Sequence, residues 1–595
     1  MNQQAAQKTP VNPLPCKVCV SAFSTRGVKQ INQDAYAYHI SSDRLNPSHI
    51  FVVADGVSSS TVSQVASDFA TSEFVKLFNI APEQWSVKTR AEVIIKELNA
   101  RLYTRTQKSA FCYTPEKGYI CTLSVAILTG ARLDVFHVGD SQIQVVSEGD
   151  QNPVLLTQPH RHVSDSVPSQ TYLSNALGVT ASIDIDHTSL TLKTSSTIAI
   201  STDGVHEFIA LSVILNRINN ANTLPENQAA LVVHEAFNQG SDDNLTLLLI
   251  KCQIGNESGS ENSEPHVHLC KPAFEELETG DKIDGITLGR QLYSSARSHV
   301  FIASLQAHKR SYEQDSVVVK TPSTDFSQSP EMLNGFLIES WFARRVNSTH
   351  VVKSPTYTIL GLKHKPTAFY SISDYVKGQT LAQWSFDNPT PSLEQIRDII
   401  EQVGKGLQAM HRQGILHRDI RPENIMISEQ GHCTIIDLGS AALADSPSLY
   451  SSAPIPGAVL FAAPEYFLGN VGTERSDLFS LAVLTYYLLC GRYPYHSKLA
   501  HCRTFAEQKK LKYETALDPK RPIPTWVDSA LKRALHVNPD KRFSTLSEFL
   551  YSLRYPNPTQ HTAYEPLVKR HPLFVYKVLI LALILSNLAT LILFN

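Results

Sequence analysis

Apolar positions along this chain follow three different rhythms. In the first 250 residues, short apolar runs end on acidic turns: Ile50-Phe51-Val52-Val53-Ala54 leads into Asp55-Gly56, Leu133 to Val138 into Gly139-Asp140-Ser141, and Thr197 to Ile200 into Asp203-Gly204. A further cluster, Asp242-Asp243-Asn244, precedes the run Leu245 to Ile250. Such runs predict strands. Val62, Val65 and Phe69, then Ile94, Leu98 and Leu102, recur every three or four residues and predict two helices, each laying one apolar face on a sheet. Later, Ser316 to Lys320 reads as a strand, Met332 to Phe342 as a helix, and Ile396, Ile400, Val403, Leu407 and Met410 as an amphipathic helix. The third rhythm is a nearly unbroken apolar stretch from Phe574 to Phe594, interrupted by Lys577, Ser586 and Asn587. Its length predicts a membrane-crossing helix.

A chain of 595 residues exceeds one core and must divide. Gly255 to His268, rich in Gly, Ser, Asn and Glu, has few residues able to build a core and reads as a linker. The expected organisation is a loose tail over 1–15, a first domain over 16–254, a linker over 255–280, a second domain over 281–555, a juxtamembrane segment over 556–573 and the membrane helix over 574–594. The tail has no apolar core and is no secretory signal. Lys569, Arg570 and Lys577 precede the apolar stretch, which predicts a single-pass C-terminal anchor in the cytoplasmic membrane with both domains in the cytoplasm.

Composition narrows the class. A formal net charge of -2 and 42% hydrophobic residues describe ordinary globular protein with no field favouring nucleic acid. Nine scattered cysteines fit reduced thiols better than a disulfide framework, and Cys16 and Cys19 lack a second pair at zinc spacing. The pairs His160 with His162 and His266 with His268 read as loop histidines rather than ligands.

The acidic strand ends carry the first candidate chemistry. Ionised carboxylates gathered in a partly buried place repel one another and need a compensating cation. Oxygen-only ligands suit magnesium or manganese, and two such ions activate water and clamp a phosphate. Phosphate ester hydrolysis is the expected reaction. The order of motifs, Gly27-Val28-Lys29-Gln30-Ile31-Asn32-Gln33-Asp34, Val53-Ala54-Asp55-Gly56, Gly139-Asp140-Ser141, Ser201-Thr202-Asp203-Gly204 and Asp242-Asp243-Asn244, resembles that of the metal-dependent protein serine/threonine phosphatases of the type 2C family. The resemblance implies a β-sandwich between helices and two manganese or magnesium ions bridged by Asp55. It further implies the Gly56 carbonyl, Asp203 and Asp243 as ligands, Asp34 as the residue orienting water at the metals, and Asp140 with Glu207 for a third, weaker ion. Lys29 stands where many relatives have a phosphate-gripping arginine, with Arg26 nearby, and Gln33 where some have Glu.

The second candidate chemistry lies in His417-Arg418-Asp419-Ile420-Arg421-Pro422-Glu423-Asn424 and in Asp437-Leu438-Gly439. An Asp and an Asn five apart, with another Asp beyond a short strand, suit a hydroxyl and phosphate-bound magnesium. These residues resemble the catalytic loop and metal motif of eukaryotic-like protein kinases, with Ala463-Pro464-Glu465, Asp477 and Arg542 matching further family positions. The resemblance implies a two-lobed fold that uses Mg2+ and ATP. In it Lys320 holds the ATP phosphates, Glu339 is its partner with Glu331 the alternative, Asp419 accepts or orients the hydroxyl proton, Asn424 and Asp437 bind magnesium, and Arg421 lies near the γ-phosphate. The phosphate-covering stretch, Tyr293-Ser294-Ser295-Ala296-Arg297-Ser298-His299-Val300, has no glycine; Ser294 and Ser295 still allow a close turn, and Val300 keeps the adenine-covering valine. Arg418 beside Asp419 suggests that phosphorylation orders the segment from Ser440 to Ala462, with Ser446, Ser448, Ser451 and Ser452 as candidate sites.

The expected whole is a multidomain α+β chain: an α-β-β-α phosphatase sandwich, a two-lobed kinase fold and a single transmembrane helix. Its expected partners are ATP, the membrane, and protein substrates and phosphoproteins, the chain itself among them. A rival expectation is an active phosphatase regulated by a silent kinase fold. Serine or threonine is the favoured hydroxyl, with tyrosine left open.

Overall fold

The computed structural model describes residues 17–42, 48–150, 152–163, 171–192, 194–219, 223–253, 277–295, 297–305, 316–324, 330–357, 359–360, 366–444, 458–518, 522–556 and 572–593. The expected tail, the linker motif Gly255 to His268 and the four candidate serines lie outside them. The chain divides into two compact units, Met1–Arg345 with Ser354–Tyr375, and Val346–Lys353 with Val376–Asn595.

The first unit opens with two five-stranded antiparallel sheets. One has the order β1-β12-β11-β6-β7, formed by Lys17–Thr25, Leu245–Gln253, Ser196–Ser201, Gln142–Ser147 and Val154–Leu155. The other has the order β10-β5-β4-β3-β2, formed by Asp186–Thr191, Arg132–Val138, Leu123–Thr129, Ser48–Ala54 and Ala35–His39. Alternate side chains of the two sheets, including Phe51, Val53, Val135, Ile143, Ile198, Leu248 and Ile250, form the shared core. Helices α1 (Ser63–Asn79) and α2 (Val87–Gln107) cover the second sheet, and α4 (Leu211–Asn219) and α5 (Gln228–Asn238) the first. The result is the expected α-β-β-α layering.

Ile94, Leu98 and Leu102 of α2 are fully buried, as their spacing predicts. α1 differs. Val65 is 42% exposed, and the buried face is Ser63, Ala66, Ser67, Ala70, Thr71, Phe74, Leu77 and Phe78. Small residues let this helix approach β2 and β3 closely, so its packing face is set by size rather than by the Val62, Val65, Phe69 stripe.

The same unit continues into a five-stranded antiparallel sheet, β13 to β17 in chain order: Lys282–Ile283, Ile286–Ser294, Ser298–Leu305, Ser316–Pro322 and Ser371–Asp374. Between the last two strands runs helix α6 (Pro330–Arg345). Ile286, Leu288, Phe301, Val317, Val319 and Tyr370 build its own small core.

The second unit is mainly helical. Ser392 and Gln395 close a capping box on α8 (Leu393–Arg412), and Ile396, Ile400, Val403, Leu407 and Met410 are buried against α9 (Glu474–Cys490) and α12 (Leu546–Arg554). Short strands β20 (Ile425–Ile427) and β21 (Cys433–Ile435) pair behind the catalytic-loop motif.

The expected membrane anchor is corrected. A helix does span Pro572–Leu593, but among the described residues no helix is long and apolar enough to cross a membrane. That helix also carries the charged Lys577 in its first turns. The single transmembrane helix and the anchored location inferred from it are therefore withdrawn.

Candidate functional site

Antiparallel pairing brings the acidic turns to one end of the sandwich. β3 ends at Ala54, directly before Asp55, and β5 at Val138, before Gly139-Asp140. β11 and β12 pair Ser201 with Leu247, which draws the turn holding Asp203 toward the one holding Asp243. Asp55 is fixed by its backbone: its N–H donates to Thr122 Oγ1 at 2.9 Å and its carbonyl accepts from Thr122 N at 2.8 Å. Gly56 lies against the Gln33 carbonyl and Ser63, where a Cβ would come within 2.7 Å and 2.9 Å of them.

Electrostatics show how closely the carboxylates gather. Burial, then the charges of Asp34, Asp203 and Asp140, push Asp55 well above the ordinary carboxylate range. Burial raises Asp34 to about 6 against the hydrogen bonds of Thr246 and Thr202. Burial and then the charges of Asp140 and Asp243 raise Asp203 to about 7. Thr202 Oγ1 donates to Asp34 Oδ2 at 2.9 Å, while Asp34 Oδ1 is buried without a hydrogen-bond donor among the described residues.

Arg161 neutralises part of this charge. Its guanidinium reaches Asp140 at 2.7 Å, Glu207 at 2.8 Å and Asp203 at 2.9 Å. Lys29 Nζ is 3.4 Å from Asp243. Gln33 turns its side-chain amide to Ser60 O and Ser63 Oγ, at 2.7 Å and 2.6 Å, and Arg26 donates to Gln30 O at 3.4 Å. Among the described residues no group of three or more His, Cys, Asp or Glu side chains is drawn closely enough together to hold a metal ion. The donor set still suits a hard divalent cation: it is oxygen-only, Asp34 and Asp140 are buried, and Asp34 Oδ1 lacks a hydrogen-bond donor among the described residues.

Sequence reading passes over Arg161 and His137, and takes His160 for a loop histidine. Ser124 Oγ donates to His137 Nδ1 at 2.9 Å and His137 Nε2 donates to the Gly139 carbonyl at 2.9 Å, the arrangement a neutral ring allows. Burial lowers that ring to about 4. His160 takes the Gly139 N–H at 3.1 Å and bonds Asp186 at 3.0 Å. Both shape the turn before Asp140. A lone arginine in a polar hairpin gives no sequence signal for such a role, since its partners come from two distant segments, one holding Asp140 and the other Asp203 and Glu207. Cys19 is exposed on β1.

The kinase-like residues fall in two places. In the first unit, Lys320 on β16 pairs with Val300 on β15, and its Nζ lies 2.7 Å from Glu339 Oε2 on α6. The side chain of Glu331 is outside what is described. The hairpin between β14 and β15 closes on itself: Ser295 N donates to Ser298 O at 3.0 Å, and Ser295 Oγ accepts the amides of Arg297 and Ser298, each at 3.2 Å. Ser294 Oγ and His299 Nδ1 are 2.9 Å apart.

In the second unit, Asp419 Oδ1 accepts from Ala458 N at 2.9 Å and Oδ2 from Asn424 Nδ2 at 3.0 Å. Asp437 Oδ1 accepts from Gly439 N at 3.0 Å, and Ile436 N donates to the Asn424 carbonyl at 3.0 Å, so the two motifs are laced together. Arg421 Nε is 4.0 Å from Asp419 and 3.5 Å from Glu423. The loop itself hangs from buried Asp477, which accepts from the amides of His417 and Arg418 and pairs with His411, all at 2.8 Å. Arg418 takes a left-handed φ of 69°, a strained turn held by that carboxylate.

Comparison with known proteins covers both regions. Residues 24–244 match the family Protein phosphatase 2C, and residues 303–552 match the family Protein kinase domain. A serine/threonine-protein kinase of Corynebacterium efficiens is 33% identical over 179 residues, 30% of this chain and 34% of that protein. The kinase PknA of Mycobacterium tuberculosis is 29% identical over 179 residues, 30% of this chain and 42% of its own length. The chain thus spans between a third and about two fifths of these curated relatives. Among solved structures, the serine/threonine phosphatase Stp1 from Staphylococcus aureus is 19% identical with a TM-score of 0.35, covering 42% of this chain and 100% of that one.

Proposed function

We propose that this chain, which joins a protein phosphatase 2C domain to a protein serine/threonine kinase domain, both phosphorylates protein hydroxyls with ATP and hydrolyses protein phosphoesters. The proposed domains are 16–254 and 281–555. The observation that carries the reading is the gathering of Asp34, Asp55 and Asp203 around Asp140, where burial and mutual repulsion raise the proton affinities of the first three, as in a site built for cations.

For the phosphatase, Asp55, the Gly56 carbonyl, Asp203 and Asp243 are the residues proposed to hold two manganese or magnesium ions, with Asp140 and Glu207 for a third. Bound there, the ions would lower the pKa of water and clamp the phosphoryl oxygens. Asp34 is suited to hold the proton of that water, being buried, near neutral in pKa and aimed by Thr202. Lys29 and Arg161 supply the cationic side chains around a phosphate.

For the kinase, Asp419 is proposed to orient the acceptor hydroxyl, with Asn424 holding it in place. Lys320, aimed by Glu339, would hold the ATP phosphates, Asn424 and Asp437 their magnesium, and Arg421 the γ-phosphate side. Ser294, Ser295 and Val300 would cover the nucleotide. The test is the full chain with labelled ATP and with a phosphopeptide, in magnesium or manganese. Asp437→Asn is expected to abolish phosphoryl transfer alone, and Asp55→Asn phosphopeptide hydrolysis alone; loss of neither sinks the reading.

One observation favours a second reading, a silent kinase fold that regulates the phosphatase. Ser295 Oγ occupies the amides of Arg297 and Ser298, which a glycine-rich turn would offer to phosphate. Nucleotide binding without transfer in the same assay selects that reading.

A further inference from the structure

Helix α6 has more apolar surface than the sheet beside it can cover. Leu333, Phe336, Leu337, Ile338, Trp341, Phe342 and Ala343 are all buried, so the helix is enclosed on more than one side. Phe336 and Glu339 face Lys320. Trp341 follows Glu339 by two residues, about 200° around the helix, and with Arg344 and Arg345 it turns the other way.

What meets that second face is the phosphatase sandwich. Trp341 Nε1 donates to the Leu77 carbonyl in the last turn of α1 at 3.3 Å, and its ring meets Trp85 edge-on at 5.3 Å. Arg344 donates to Ile80 O at 3.2 Å and to Glu83 at 3.1 Å. Arg345 makes a two-pronged pair with Glu97 of α2, at 2.8 Å and 2.9 Å, with side-chain exposures of 2% and 0%. Its guanidinium stacks 3.7 Å over the Trp341 ring. Glu97 also takes Arg101 at 2.6 Å. Gln84 reaches Tyr357 OH at 2.7 Å and the Tyr370 carbonyl at 2.9 Å, extending the seam to the residue just before β17.

A fully desolvated, fork-to-fork ion pair fixes geometry tightly, because either partner alone would be a buried uncompensated charge. We infer that the phosphatase domain is the brace of the kinase: the Arg345–Glu97 pair and the Trp341 wedge hold α6 in the rotation that presents Glu339 to Lys320. Arg345, Trp341 and Glu97 are thereby positioning residues for nucleotide binding, acting through α6. The inference rests on the kinase reading above for its effect on ATP turnover, and on the seam alone for its effect on α6.

Both parts are tested on the full chain with Arg345→Met and the milder Arg344→Gln. Amide hydrogen exchange over 333–345 and at Lys320 is measured beside KM and kcat for ATP. Manganese-dependent turnover of para-nitrophenyl phosphate checks the phosphatase fold. Exchange in α6 should accelerate about tenfold or more in Arg345→Met and less in Arg344→Gln, with KM for ATP raised and phosphatase turnover kept. Arg345→Lys should restore part of the protection. If Arg345→Met also loses phosphatase turnover, Arg344→Gln decides. Wild-type protection of α6 in the folded variants overturns the brace. Absence of ATP turnover in the wild type overturns only the kinase reading, since the exchange comparison still decides the brace.

Discussion

Arg542 and Glu465, 77 residues apart, meet through two hydrogen bonds of 2.8 Å and 2.7 Å in the interior of the second unit. Ser476 donates to the same carboxylate at 2.6 Å, and Arg542 also reaches the Arg475 carbonyl at 2.8 Å. The pair ties the segment after Ala463 to the start of α9. Arg542→Ala leaves Glu465 buried and unbalanced and should cost about 3–5 kcal/mol. Urea unfolding followed in the second unit checks it; a change below about 1 kcal/mol would show the carboxylate relaxing to water.

Glu339→Gln keeps the shape of the Lys320 partner and removes its charge. Lys320, 2.7 Å away, then loses its fixed direction. ATP turnover should fall on the order of 10²-fold, the scale of losing one preorganised electrostatic contact, with phosphopeptide hydrolysis unchanged. Steady-state assays of both activities on one preparation decide this, and equal losses in the two would point to misfolding.

Arg161→Ala removes the cation that touches Asp140, Asp203 and Glu207. Without metal, the three acids are left to repel one another. The variant should melt lower than the parent in chelator, and manganese should recover more of the loss than it adds to the parent. Differential scanning with and without manganese tests the claim, which fails if the two proteins gain equally.

The raised carboxylates set a pH dependence. Asp203 at about 7 and Asp34 at about 6 lie above their unfolded value of 3.8. Their contribution is therefore fully present below pH 3.8 and is lost as pH rises through 6 to 7. His137, lowered to about 4 from 6.5, acts oppositely, contributing above 6.5 and losing that contribution as pH falls toward 4. A cation that replaces the carboxylate protons should accordingly raise the melting temperature far more at pH 8 than at pH 5.5. Equal shifts at both values would remove the carboxylates from the metal site.

Strand ends, motif order and the α8 stripe were readable because each is local: an apolar run followed by Asp, or a repeat of three and four, fixes an element without its neighbours. The α1 face was not. Val62, Val65 and Phe69 form an apolar stripe, but the sheet receives Ser63, Ala66 and Ser67, since close approach of a helix to β2 and β3 selects small side chains. The stretch from Phe574 misled in the other sense: a helix forms over Pro572–Leu593, yet among the described residues no helix is long and apolar enough to cross a membrane.

By itself the sequence determined which residue types were on hand: acids at strand ends, a loop with Asp419 and Asn424, and a lysine on a strand. Tertiary structure alone decided that Arg161 would sit among Asp140, Asp203 and Glu207, that Ser295 would occupy its own hairpin's amides, and that Arg345 would find Glu97, 248 residues away. The physical reason is the same in each case. A charge or hydrogen bond acquires its meaning from the atom brought opposite it, and that atom is chosen by chain packing, not by neighbours in sequence.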